Sequence, residues 1–493
     1  MWSSNNQDRE PISKVDTAWL RMEQPTNLMM ITGIIMLEEP VDFERLKHTV
    51  ENRFLSFRRF RQKAVDRTNG AYWQLDPDFE LDSHIRRTAL PGNAGLEELQ
   101  ELVSELASTP LDKSKPLWQF HLIENYQAGQ VLVMRIHHCI ADGIALIQVL
   151  LSLTDAGPEP RPSAKSKKIW RKKRAAESGA FQRLMEPARE GLDFITHLGQ
   201  QAAQEGIRLL QEPQRAGRFA REAGEIVNEF ITSVTLSDDP VTRFKGPLGS
   251  RKRVAWAEPI PLHEVKAISK ALGCTVNDLL IAAVTGAIHS FMVEQGDKLA
   301  PELEIRATVP VNLRPLEHAK DLGNHFGLVF LPLPVGEVNP LRRLKTICQQ
   351  MDELKSSKQA VVAFGLLSTL GMGPAILQKP ALEMLSRKAS AVLTNVPGPQ
   401  QPLYIAGTPI KEMMFWVPQS GGIGMGISIL SYNNQVYFGL ITDRKCVAEP
   451  FEIIKRFRPQ FEVLLYLTLL ADPDAPLNPE MAEAILDLEI NGS

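Results

Sequence analysis

"VLVMRIHHCIADGIAL", residues 131–146, decides both the local fold and the place of the chemistry. Its first six residues are apolar but for Arg135 and read as a strand. "GIALIQVLLSLTD", residues 143–155, reads as a buried helix. Strand, turn and helix therefore follow one another directly. His137 and His138 stand at the bend, and Asp142 and Gly143 open the helix. Along a strand, neighbours point to opposite faces. Leu132, Met134, Ile136 and His138 then share one apolar face, and His137 shares the other with Arg135.

Two adjacent strand positions cannot easily bind one metal, because strand ligands want two-residue spacing. His263-Glu264 lacks the second histidine of an HExxH helix. No metal site is expected. Two core histidines bonded to backbone are the plain alternative. Asp142 and Gly143 argue for more. A carboxylate brought back by a three-residue turn can fix an imidazole's tautomer and orientation. Glycine admits backbone geometry that other residues resist. A neutral His138 with a free ring nitrogen is then a candidate general base. Cys139 invites a role as acyl-carrying nucleophile. It would face away from His138, however, and small buried cysteines are common.

Working outward, "LMMITGIIML" (residues 28–37) reads as a buried strand, and residues 42–57 as a helix with Asp42 as its N-cap. "GPEPRP" (157–162) is a break. Beyond it, residues 161–174 carry eight Lys/Arg and no acid. That run reads as a solvated linker or as a patch for anionic lipid with Trp170 as interfacial anchor. Residues 181–235 look helical and amphipathic. A second α/β portion starts near Lys252, with a strand and then a helix ending at Gly273. Residues 304–315 give a strand leading into a turn. Residues 426–443 form a hairpin turned by Asn433-Asn434. Thr275 and Asp278 fit a capping box, so Asp278 reads as structural. "GGIGMG" (421–426) precedes a strand and is no dinucleotide loop. The expected division is 1–155, a linker 156–248, and 249–493.

A chain of 493 residues suits two domains. A net charge of -3 predicts no nucleic-acid partner. Four scattered cysteines without CxxC spacing argue against a zinc or disulfide framework and suit a reducing compartment. The polar start lacks a signal-peptide core. The nearest approach to a membrane span is residues 360–377, which hold 18 uncharged residues. Glycine, proline and hydroxyl residues dilute it, so it reads as a buried or interface-resting helix.

HHxxxDG, here His137, His138, Asp142 and Gly143, resembles the signature of the acyltransferase superfamily that includes chloramphenicol acetyltransferase and peptide-synthetase condensation domains. Other stretches narrow the match. They are the opening "PISKVDTAWLRME", Pro116-Leu117-Trp118, Asn277-Asp278, and Asn395-Val396-Pro397-Gly398-Pro399. Together, and in this order, they are similar to the bifunctional wax ester synthase/diacylglycerol acyltransferase family. The resemblance implies an α/β fold of two chloramphenicol-acetyltransferase-like domains, with mixed sheets flanked by helices. A helical linker would join them, and the active-site channel would run between them. It also implies acyl-CoA as co-substrate, diacylglycerol or a long-chain alcohol as acceptor, and no further cofactor or metal.

In that family pattern His138 is the base for direct attack of the alcohol on the thioester, with Asp142 orienting and His137 supporting. Gly143, Asn277, Asn395 and Arg314 become candidates for substrate contact or site support, Arg314 as a partner for Asp142. Simpler readings stand beside these. Pro116 to Trp118 is a strand entry with a core tryptophan, Asn395 to Pro399 a turn, and Gly323-Asn324 a packing element. A lipid acceptor implies a cytoplasmic enzyme resting on a membrane or lipid inclusion. Two alternatives remain. One is a same-fold acyltransferase using a carrier-bound donor or a polar acceptor, and the other is a non-catalytic inclusion coat.

Overall fold

The segment Met30–Leu37 is apolar along both faces, and all eight of its residues are buried. A strand of that kind needs cover on both sides. The computed structural model, which describes residues 9–67, 70–159, 236–313, 322–356, 386–419 and 421–469, sets it in the middle of a seven-stranded sheet. Arg314, the basic run 161–174, the stretch 181–235 and the apolar stretch 360–377 lie outside the described residues.

The sheet order is Ile85–Thr88, Trp118–Tyr126, Gly129–His137, Met30–Leu37, Thr408–Trp416, Tyr404–Ile405, Thr154–Asp155. Two of these strands come from late in the chain. Thr408–Trp416 pairs antiparallel with Met30–Leu37, so residues 404–416 cross over into the N-terminal sheet. Tyr432, from the other sheet, pins the crossing. Its hydroxyl accepts from Leu403 N at 2.8 Å and donates to Ile410 O at 3.0 Å.

The second sheet runs Ile260–Pro261, Gln435–Asp443, Met425–Tyr432, Ala391–Pro397, Ile305–Asn312, Phe326–Leu333, with Lys252–Trp256 also on Gln435–Asp443. Both sheets are mixed: Ile85–Thr88 with Trp118–Tyr126, and Ala391–Pro397 with both its neighbours, are the parallel pairs. Helices flank them, and each half has its own apolar core. Val276–Glu294 is the central helix of the second core. It is long and apolar enough to cross a bilayer, but 72% of its apolar stretch is buried inside the protein.

Several local expectations meet the structure directly. Asp42 accepts from Arg45 N at a helix start, and Thr275 and Asp278 complete their capping box. Asn433 and Asn434 sit at φ 48° and 60°, the left-handed pair that a tight hairpin needs. Trp118 is a core residue whose indole N–H donates to Phe60 O at 2.8 Å. Others do not. The helix expected over 42–57 is α-helical only over Phe43–Thr49, then loosens into a π turn over Val50–Phe54. Asn395 to Pro397 are strand, not turn, because the ladder to Met425–Tyr432 runs on to Pro397.

Candidate active site

The motif strand Gly129–His137 ends one residue earlier than alternation along it requires. His137 is its last member, paired with Met30, and His138 lies in the turn beyond. His138 is therefore not the continuation of the face of Leu132, Met134 and Ile136. Its apolar surroundings come from elsewhere in the chain.

His137 is fully buried and turned to the opposite side from His138. Its Nδ1 accepts from Cys139 N at 3.1 Å, which leaves the ring proton on Nε2. Nε2 lies 3.0 Å from Glu23 Oε2. Glu23 also pairs with Lys113 at 2.8 Å. Burial pushes the Glu23 carboxyl up, but His137 and Lys113 together outweigh it and hold the carboxyl down at about 2. Glu23 is thus an anion at any working pH and a fixed anchor for the first histidine.

His138 is held by its backbone. Its amide donates to Met29 O at 2.7 Å, and its carbonyl accepts from Asn324 Nδ2 at 2.7 Å. The ring stacks on Trp19 with centroids 4.2 Å apart and planes 15° apart, and Phe326 stands tilted 5.7 Å away. Nδ1 is sealed without a hydrogen-bond partner among the described residues. Nε2 has no hydrogen-bond partner among the described residues. Burial lowers the imidazole pKa to about 4, against the opposing pull of the Asp142 charge and the ring's own carbonyl. His138 is therefore neutral near pH 7, with Nε2 free of any described hydrogen bond.

Asp142 does not bond to the ring. Its Oδ1 accepts from Ala145 N at 2.9 Å and caps the helix Gly143–Leu153. Its Oδ2 accepts from His325 N at 3.0 Å, in the second half of the chain. A bridge between Ala141 and Gly323 runs alongside. Asp142 acts on His138 by charge and by fixing the turn, and its described hydrogen bonds are to backbone N–H groups. Gly143 also differs from expectation. It does not occupy the left-handed region, and a Cβ there would meet no described atom within 4 Å. Its glycine identity is not a backbone requirement.

Four residues that motif reading did not assign complete the site: Asp16, Trp19, Glu23 and Asn324. The helix Lys14–Met22 with its cap residue Glu23 presents the first three at i, i+3 and i+7, which is one helical face. Trp19 reaches the ring of His138, and Glu23 reaches His137. Asp16 accepts from Asn324 N at 2.9 Å and from Asn324 Nδ2 at 2.7 Å, and the same Nδ2 holds the His138 carbonyl. Burial raises the Asp16 carboxyl to about 6 despite those bonds. Gly323, at φ 107°, lets the chain pass close to this carboxylate.

Asn277 and Asn395 meet each other. Asn395 Nδ2 donates to Asn277 Oδ1 at 2.6 Å and ties the start of the central helix to the strand Ala391–Pro397. Neither is hydrogen-bonded to His138. Arg314 lies outside the described residues. Cys139 is fully buried and burial pushes its thiol well above the usual range, so no thiolate nucleophile stands there.

The arrangement is a neutral, buried imidazole in an aromatic setting where the two halves meet. The wax ester synthase/diacylglycerol acyltransferase catalytic-domain profile matches residues 12–280, and the profile of the same family's C-terminal domain matches residues 322–464. A protein of Mycobacterium tuberculosis named as a probable diacylglycerol O-acyltransferase is 26% identical over 457 residues, 90% of this chain and 93% of the relative. The wax ester synthase/diacylglycerol acyltransferase from Marinobacter aquaeolei VT8 superposes with a TM-score of 0.65 at 21% identity, covering 94% of this chain and 100% of that one. A condensation domain of the calcium-dependent antibiotic synthetase shares the fold at a TM-score of 0.57 and 15% identity, covering 96% of this chain and 99% of that domain. Two mixed sheets flanked by helices, the His-His-Asp turn between them, and family profiles spanning both halves place this chain in the wax ester synthase/diacylglycerol acyltransferase family of acyltransferases.

Proposed function

We propose that the chain transfers a long-chain acyl group from acyl-CoA to the hydroxyl of diacylglycerol, of a long-chain alcohol, or of both. The observation that carries this is His138: buried, neutral near pH 7, with no described hydrogen bond on Nε2 and with Trp19 and Phe326 around it. A buried aromatic setting suits lipid substrates and strengthens each polar contact made within it. The relatives' names support diacylglycerol and fatty alcohols as the acceptor class.

The step balances without an added cofactor. His138 Nε2 takes the alcohol proton as the alkoxide oxygen attacks the thioester carbonyl. The new C–O bond forms, the C–S bond breaks, and the imidazolium returns its proton to the departing CoA thiolate. Acyl-CoA is thus a co-substrate. His137, anchored by Glu23, braces the turn, and Asp142 holds the His138 loop to the second half. The Asn277–Asn395 pair supports the second-half wall. A lipid acceptor also calls for a cytoplasmic enzyme docked on a membrane or lipid-inclusion surface, for which the basic run 161–174 with Trp170 is the candidate contact.

Thiol release from palmitoyl-CoA, measured with dioleoylglycerol and separately with hexadecanol, tests the assignment. Release that depends on either acceptor is expected, and the two rates rank them. No release with either, beside turnover of a carrier-bound acyl donor or a polar alcohol, would replace this reading. A protein inert toward every acceptor yet bound to lipid droplets would instead be a coat.

A further inference from the structure

If His138 takes a proton during turnover, the costly species is its imidazolium. The ring is buried, and burial disfavours its charged form. Asp142, on the motif loop, favours the charged ring through space, while its described hydrogen bonds go to the Ala145 and His325 N–H groups. The Asn324 side chain also favours the charged form. His137, next in the chain, opposes it and faces Glu23, which in turn pairs with Lys113. Asp16, on the first helix, is engaged by Asn324, and Arg59 lies near Asp16 and Cys139. Against the ring itself stand aromatic faces: Trp19 at 4.2 Å and nearly parallel, and Phe326 at 5.7 Å.

An indole face within about 6 Å of a cation attracts it through the ring quadrupole, and tryptophan does so best among the aromatic side chains. The effect is largest where water is excluded, as here. A stack on neutral imidazole is ordinary packing, so the attraction is realised mainly once the proton has moved. That is the condition for lowering a barrier instead of merely stabilising the resting enzyme.

We propose that Trp19 acts through His138 as a positioning and charge-stabilising residue, its indole face holding the imidazolium that forms when the acceptor hydroxyl is deprotonated. This rests on the reading of His138 as general base. Two features of the first helix make the placement specific. Trp19 is three residues from Asp16, whose bond to Asn324 fixes the His138 carbonyl, and four from Glu23, which fixes His137. One helical face therefore sets the position of both histidines, and the stack is registered from that face.

The test is to replace Trp19 alone by mono-, di-, tri- and tetrafluorotryptophan through nonsense suppression in the full chain. Fluorine drains the ring face of negative charge while leaving shape and packing nearly unchanged. The readouts are kcat and KM for palmitoyl-CoA with hexadecanol and with dioleoylglycerol, beside the thermal midpoint of each variant. The expected result is a stepwise fall in kcat, on the order of ten- to thirty-fold across the series, with KM and the thermal midpoint level. Trp19→Phe should fall within that span. A flat kcat series would overturn the proposal and leave Trp19 a packing residue. His138→Ala is run alongside. If it is inert while the fluorinated series is flat, only the role of Trp19 fails. If it retains full activity, the general-base reading fails as well.

Discussion

His138→Ala is expected to lower kcat/KM for acceptor-dependent thiol release by roughly 10²–10⁴-fold, the range in which a positioned general base contributes. The loss should be chemical and not structural. No hydrogen bond of standard geometry is described at the His138 ring, whose polar neighbour is the Asn324 side chain, so removing the imidazole breaks little of the hydrogen-bonded frame. The backbone bonds to Met29 O and from Asn324 Nδ2 survive the substitution. What is lost is packing against Trp19 and Phe326, which costs about 1–3 kcal/mol in a core of this kind. Wild-type kcat/KM should also fall only as pH drops toward about 4, where the free base is protonated, instead of near 6.5 where an ordinary histidine titrates. A His138→Ala protein within about threefold of wild type would remove this residue from the chemistry.

Asn324→Ala should have the next largest effect, because one amide serves both halves of the site. Its Nδ2 donates to the Asp16 carboxylate and to the His138 carbonyl. Truncation leaves a buried carboxylate with only the backbone N–H of residue 324 from that side, and a buried carbonyl with no donor. Losing such bonds costs about 1–3 kcal/mol each, so a stability loss of roughly 2–4 kcal/mol is expected in denaturant unfolding. The Asp16 carboxyl, already raised to about 6, should rise further as its charged form loses a donor. The freed loop should displace the imidazole and lower kcat about 10²-fold. Asp16→Asn keeps an acceptor for Asn324, so alone it should be milder. The two substitutions together should be non-additive, because they break the same bond. Strict additivity in the double variant would show that Asp16 and Asn324 do not act as one unit.

The sequence makes one part of the site plain and hides the other, for a physical reason. His137, His138, Asp142 and Gly143 are contiguous, so local spacing reveals them. The role of Asp142 is less legible: spacing suggests a carboxylate on the imidazole, and the structure has it capping the helix that follows. Asp16 and Glu23 look like ordinary acids on a surface helix. Nothing local reveals that the face carrying them turns inward, since the partners are distant in sequence: Asn324 for Asp16, and Lys113 and His137 for Glu23. The signal available was their shared face with Trp19, at i, i+3 and i+7. The gain and loss in the fold have the same origin. The hairpin at Asn433-Asn434 and the capping box at Thr275 are local, and both are legible. The passage of residues 404–416 into the N-terminal sheet is a long-range pairing that no periodicity announces. The strand reading of His138 failed for a third reason. Alternation holds only while the ladder lasts, and the ladder stops at His137.

Direct attack by the alcohol, with no acyl-enzyme, is the central chemical claim, and the most direct measurement withholds the acceptor. Purified protein is mixed with palmitoyl-CoA alone, and released thiol and the intact mass of the protein are followed before and after hexadecanol is added. Direct attack predicts no thiol release and no mass change until the alcohol arrives, then steady release. A palmitoyl adduct on the protein, at Cys139 or elsewhere, formed without acceptor at the rate of turnover would contradict it.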